Sequence, residues 1–165
     1  MTSAGVSLTG NLGITGDASL TTITAKTSGD RRHFYVQSGR TLTLKWLKLT
    51  GGSGETYGGS IYVSGSTLHA TSCVFFLNTA RYGGGVETNQ GSTLIQDSII
   101  ANNTAVYGGG GIVQGFGTAT IIRSLISRNR QTTGTSASHG GGGVVILGNA
   151  VLNVRETTIE HNRAG

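Results

Sequence analysis

The sequence contains no proline and a single cysteine in 165 residues, and only 12% of it is charged. With Cys73 alone, no internal disulfide can form. Although 29 residues are glycine, they follow no Gly-X-Y period and have no proline beside them, so a collagen triple helix is excluded. The acids number seven, Asp17, Asp30, Glu55, Glu87, Asp97, Glu156 and Glu160. A calcium ion asks for roughly six to eight oxygen ligands, several of them anionic, so no Ca²⁺ site is expected, and no paired hydrolytic carboxylates. His33, His69, His139 and His161 lack metal-ligand spacing with one another or with Cys73. The reading is therefore no metal, no cofactor and no assigned catalytic residue. No apolar run approaches the roughly 20 residues that span a bilayer, so this segment is not expected to insert into a membrane. Met1-Thr2-Ser3-Ala4-Gly5 has neither the basic start nor the apolar run of a signal peptide. An exported protein would carry its leader outside this chain.

What the sequence does have is Thr, Ile, Val and Ser, which favour strands, and a repeat. Tyr-Gly-Gly recurs at Tyr57, Tyr82 and Tyr107, at intervals of 25 residues, and His139-Gly140-Gly141-Gly142-Gly143 is a fourth copy. Asn78, Asn103 and Asn129 precede the last three of these, and Asn162 repeats the pattern. Three residues before each Asn stands Phe75, Ile100, Ile126 or Ile159; one coil earlier Leu49 takes that place, with Gly52 where Asn would be.

Counting back from that apolar position sets a register. Five residues upstream lie Leu44, Ala70, Ile95, Ile121 and Val154, all apolar. Two upstream lie Leu47, Cys73, Ser98, Ser124 and Thr157, mostly small, which makes Cys73 a small buried residue. Three upstream lie Trp46, Ser72, Asp97, Arg123 and Glu156, mixed and polar. Such alternation marks strands with one buried face. A period near 25 is too short for most paired-helix solenoids, and the glycine clusters oppose helix.

The expected fold is all-β, a single-stranded right-handed parallel β-helix of about six coils, with residues 1–165 forming one domain or part of a longer solenoid. At about 4.8 Å per coil the rod would be roughly 30 Å long. The Asn column should hold one corner, the glycines another, and Asp97, Arg123 and Glu156 should form an outward ladder of alternating charge. The interval from Asn129 to His139 is 10 residues, against 4 for Asn78 to Tyr82, so an inserted loop is expected within 131–138. The open ends predict end-to-end pairing with a second copy, or continuation in a longer chain.

Phe75-Phe76-Leu77-Asn78-Thr79-Ala80 followed by Gly83-Gly84-Gly85 resembles the repeat of chlamydial polymorphic outer-membrane proteins, which pairs a phenylalanine-x-x-asparagine motif with a Gly-Gly-Ala-Ile-like motif. Ile100-Ala101-Asn102-Asn103 with Gly108 to Gly111, and Gly58-Gly59-Ser60-Ile61, are similar. The resemblance covers roughly residues 6–165 and extends to pectin-lyase-like β-helix proteins of bacterial surfaces, with Leu12-Gly13-Ile14-Thr15-Gly16-Asp17 like an opening coil. It implies an extracellular or cell-surface location and a role in adhesion or carbohydrate recognition. The alternative it implies is a polysaccharide lyase or epimerase.

Net charge is +5, which admits nucleic acid or an acidic polysaccharide as partner. No basic patch interleaved with aromatics is present, so nucleic acid is set aside. The glycine runs are not followed by Lys-Ser/Thr and a helix, so a phosphate loop fails. A Thr-x-Thr ladder starts at Thr41 and Thr43 but is read to lapse at Thr67/His69 and Thr93/Ile95. The residues that could grip an acidic sugar are Arg128, Arg130, His139 and His161, with Arg163 nearby.

Overall fold

The computed structural model describes residues 5–25, 31–37, 39–133 and 140–165. The described chain contains strands and no helix, wound as a parallel β-solenoid of about five turns. Each full coil has three faces. The long face is a 10-stranded sheet that includes Phe34–Gln37, Ile61–Thr71, Val86–Gln96 and Ile112–Gln114. The second face stacks six short strands: Thr21–Thr24, Leu47–Thr50, Val74–Phe76, Ile99–Ala101, Leu125–Ser127 and Thr158–Glu160. The third stacks Thr79–Tyr82, Thr104–Gly108, Arg130–Gln131 and Arg163–Ala164. The pairing between strands of successive coils is parallel throughout.

The register read from the sequence is the register of the interior. Leu49, Phe75, Ile100, Ile126 and Ile159 pair in line on the second face. Leu44, Ala70, Ile95, Ile121 and Val154 do so on the long face. Phe75, Ile100, Ile126, Ile95 and Ile121 are wholly buried, and each such side chain contributes about 1.5–3 kcal/mol by leaving water. On the last coil the ladders are open, and Ile159 is 47% exposed.

Two polar ladders hold the corners. Asn103 Oδ1 accepts from the backbone N–H and the Nδ2 of Asn78, both at 3.0 Å, while its own Nδ2 donates to Asn129 Oδ1 at 2.9 Å and to the Phe75 carbonyl at 3.0 Å. Asn129 repeats this with Asn162. The fifth position is Gly52, whose N–H donates to Asn78 Oδ1 at 2.8 Å. An Asn would not fit there, because a Cβ on Gly52 would lie 2.3 Å from the Gly59 carbonyl oxygen. The second ladder runs through the small-residue column. Ser98 Oγ accepts from Cys73 N–H, Ser124 Oγ from Ser98 N–H, and Thr157 Oγ1 from Ser124 N–H. Cys73 itself is buried, and burial raises its thiol pKa, which keeps it as an unreactive packing residue.

Three sequence readings change. Trp46, Ser72, Asp97, Arg123 and Glu156 are not strand residues: all five have φ between 45° and 53°. They turn the corner between the long and second faces. Their side chains point outward because this left-handed turn is the bend itself. In that column Arg123 clamps Asp97 at 2.7 and 2.9 Å, whereas Glu156 adds only a weaker attraction to Arg123. The threonine register is displaced by one residue: Thr67 faces Ser92 and His69 faces Leu94. The outward pair returns at Thr118 and Thr120, so the array is still interrupted at its centre. Finally, the segment taken as an inserted loop begins as strand. Gln131 is buried, its Nε2 donating to the Tyr107 and Thr133 carbonyls, and Thr132 N–H and Thr133 N–H extend the third face onto Ala105 and Val106. Residues 134–138 of that segment, and His139, lie outside the described residues.

Candidate functional site: an aromatic groove with a buried glutamate

A groove lies over the first half of the long face. Its floor consists of two outward columns: Tyr35, Tyr62, Glu87, Val113 and Val145 pair in one, and Ser64 and Asn89 pair in the other. One wall is built by the residue that precedes each glycine turn, Tyr57, Tyr82 and Tyr107. The other is the bend where Gly65 and Gln90 take φ of 57°, and where Phe116 stands one coil further on.

All five tyrosines of the chain form one continuous series. Ring centroids are 5.4 Å apart for Tyr35–Tyr62, 5.1 Å for Tyr62–Tyr57, 5.9 Å for Tyr57–Tyr82 and 5.6 Å for Tyr82–Tyr107. The interplanar angles widen from 13° at Tyr35–Tyr62 to 40° at Tyr82–Tyr107, so the rings splay apart along the rod. Offset and tilted ring pairs contribute about 0.5–1.5 kcal/mol each beyond their burial. The strand spacing dictates the ring spacing: one residue type at one coil position must stack on itself. The Arg32 guanidinium lies over this series, 5.6 Å from the Tyr62 centroid and 5.9 Å from that of Tyr35.

Within the groove is a cleft of about 300 Å³ lined by Tyr57, Tyr82, Glu87, Asn89, Val113, Gly115, Phe116 and Leu147. Phe116 is 46% exposed on its wall. The glycine turn brings the tyrosine wall this close: Gly83 has φ of 59°, and a Cβ there would lie 2.7 Å from the Cβ of Glu87. Burial raises the Tyr62 pKa, and the neighbouring Asn89 and Ser64 side chains oppose that shift.

Glu87 is the unusual member. It is only 6% exposed, and its Oε2 has no hydrogen-bond partner. Burial pushes its pKa up to about 8, against the weaker pull of the Gly58 N–H and of the Arg32 charge. At neutral pH it is largely the protonated acid. A perturbed carboxyl in a concave aromatic site marks a place for ligand. No second carboxyl lines the cleft, and the described residues hold no cluster of three or more metal-ligating side chains.

The described residues among those singled out from sequence, Arg128, Arg130, His161 and Arg163, lie elsewhere, and His139 is outside the described residues. Arg128 and His161, with φ of 53° each, stack at the corner between the second and third faces, in line with Leu77 and Asn102. His161 Nδ1 lies 3.6 Å from Glu160. Arg130 pairs directly with Arg163 on the third face. Thus Arg128, Arg130, His161 and Arg163 do form a basic strip on the last two coils, but none of them lines the cleft. Tyr57, Tyr82 and Tyr107 were visible in the sequence as repeat markers only. Glu87, Asn89 and Phe116 carried no motif; the usable signal was an acid lying one coil from Tyr62 in an outward column. Among the described residues no helix is long and apolar enough to cross a membrane. No protein family, no curated protein and no solved structure matches this chain.

Proposed function

We propose that this solenoid is a carbohydrate-recognition module acting outside the cell or at its surface, akin to the pectin-lyase-like surface-repeat proteins and the chlamydial repeats. The observation that carries the reading is the cleft with aromatic walls, Tyr57, Tyr82 and Phe116, over a floor bearing Glu87 and Asn89. Sugar rings present weakly positive C–H groups that suit π-systems, and hydroxyls that need a few fixed donors and acceptors. A groove parallel to the rod suits a chain of such rings. Recognition stands ahead of lyase or epimerase chemistry, because those reactions need a base, an acid and a charge stabiliser converging on one point, and Glu87 is the one carboxyl in the cleft lining. The basic strip offers a second place for an acidic polysaccharide. There the directly paired Arg130 and Arg163 repel each other, a cost that a bound anion would relieve.

Ligand-observed NMR with neutral, amino and acidic oligosaccharides tests both. Selective line broadening that is lost in Tyr82→Ala and Phe116→Ala, and kept in Arg128→Ala/Arg130→Ala, supports the cleft. Each aromatic should account for about a three- to tenfold change in affinity. The reverse pattern moves the site to the basic strip. New unsaturated or epimerised sugar signals would establish an enzyme instead, and no broadening by any sugar rejects the proposal.

A further inference from the structure

The floor of the cleft presents two polar side chains from one strand. Glu87 and Asn89 are alternate outward residues of Val86–Gln96, so their Cα atoms stand about 7 Å apart along it. Glu87 carries a buried oxygen, Oε2, with no hydrogen-bond partner. Asn89 Oδ1 lies beside Gly115: a Cβ added there would be 3.3 Å from it, so the missing side chain leaves room next to that oxygen. Around this polar pair Val113, Phe116 and Leu147 make the lining apolar.

We propose that the cleft takes an N-acetylated amino sugar, whose acetamido carbonyl accepts a hydrogen bond from the Glu87 carboxyl, whose acetamido N–H donates to Asn89 Oδ1, and whose methyl lies against Val113, Phe116 and Leu147. This rests on the carbohydrate reading and names its substrate class. An acetamido group is a secondary amide, and its N–H and C=O point in opposite directions. Its two partners must therefore stand on opposite sides, each about 2.9 Å away, and alternate residues of one strand supply such a pair. The methyl gains by leaving water for an apolar lining. Glu87 is largely protonated at neutral pH, so it serves as a donor and asks for an oxygen acceptor. A uronate offers an acceptor too, but its charge would be desolvated against Val113, Phe116 and Leu147. A sugar bearing hydroxyls alone suits Glu87 and Asn89 and has no methyl for the apolar lining.

Donation by Glu87 has a pH signature. The charged and titratable groups facing Glu87 are Arg32, whose charge pulls its pKa down, Tyr62 on the floor, and Tyr57 and Tyr82 on the wall. Burial nevertheless sets Glu87 at about 8 and moves Tyr62 further above its ordinary value of 10.0. Once ionised, Glu87 has no proton to donate, so affinity for an acetamido ligand should fall as pH rises through 8. A glutamine in its place keeps an N–H donor at every pH.

The test is calorimetric titration of the full chain with the N-acetylglucosamine, glucose and galacturonate tetramers at pH 6.5 and pH 9. The expected result at pH 6.5 is at least about tenfold tighter binding of the acetylated tetramer than of either other, with the preference reduced at least about threefold at pH 9. Glu87→Gln keeps the shape and a donor, so it should retain the preference and lose its pH dependence. Glu87→Leu removes the donor, and Gly115→Ala sets a methyl against Asn89 Oδ1; each should bring the affinities within about threefold. Equal or tighter binding of the glucose or galacturonate tetramer, a preference abolished by Glu87→Gln, or one that survives both Glu87→Leu and Gly115→Ala overturns the acetamido assignment and leaves carbohydrate recognition standing. Binding of none of the three overturns the assignment, and if the wider oligosaccharide panel is also silent, the carbohydrate reading falls with it.

Discussion

Replacing Asn103 by alanine should damage this protein more than any other single deletion of a polar side chain in its corners. The side chain makes four hydrogen bonds: two accepted from Asn78, and one each donated to the Phe75 carbonyl and to Asn129 Oδ1. Asn103, Asn78, Phe75 and Asn129 are all 0% exposed. Truncation orphans the Asn78 backbone N–H and one Asn78 amide hydrogen, while the Phe75 carbonyl, inside the parallel strand pair, keeps its ladder donor. Asn129 Oδ1 keeps the Asn103 backbone N–H as a partner, at 3.0 Å. At about 1–3 kcal/mol for each buried group left unsatisfied, the two orphans amount to about 2–6 kcal/mol, reduced toward the lower figure if a water enters the space. Ser98→Ala is the internal control: it orphans chiefly the Cys73 N–H, for about 1–2 kcal/mol. Urea unfolding gives the difference if the transition is cooperative. Because solenoid stability is a sum over neighbouring coils, native-state hydrogen exchange at the Asn78 and Asn129 amides is the sharper assay. Both amides should lose protection in Asn103→Ala by more than in Ser98→Ala. A loss below about 1 kcal/mol for Asn103→Ala would mean the ladder is ornamental and stability resides in the apolar columns alone.

Gly84→Ala should destabilise by about 3 kcal/mol or more, because its Cβ would lie 2.4 Å from the Gly110 carbonyl oxygen and 2.5 Å from that of Thr104, both backbone atoms that cannot yield without separating coils; thermal unfolding reads this directly. Glu87 gives a pH dependence of defined sign. Its folded pKa of about 8 lies above its ordinary value of 4.5, so the folded state binds the extra proton, and stability is full below pH 4.5 and falls as pH rises toward 8. The decline should be on the order of 3–5 kcal/mol between pH 5 and 9 and absent in Glu87→Gln; a flat profile in the parent protein would contradict the burial argument. The exposed Asp97–Arg123 pair behaves oppositely. The Arg123 hydrogen bond holds Asp97 below the usual aspartate range, so its contribution is present above that range and is lost as pH falls through the lowered value. Asp97→Asn should change the melting temperature less than Ser98→Ala, and the change should shrink in high salt.

The sequence by itself determined the coil. A column of identical or like residues at a fixed interval can be satisfied only by stacking each copy on the next, so Phe75, Ile100 and Ile126 implied the buried ladder and Asn78, Asn103 and Asn129 implied a corner. The single cysteine likewise excluded an internal disulfide without coordinates. Tertiary structure decided the rest. Whether Asp97 and Arg123 sit in a strand or at a bend depends on φ, which the apolar alternation does not encode. Whether Gln131 belongs to a loop or to the third face depends on carbonyls of Tyr107 and Ala105 one coil away. The candidate site was hidden for the same reason. Tyr57 and Tyr82 come from one side of a glycine turn, Glu87 from the floor and Phe116 from a bend on a later coil, and only the winding of the chain sets them around one cleft. A repeat announces what recurs from coil to coil, whereas this site rests on what does not: one glutamate in a column otherwise tyrosine, serine and valine.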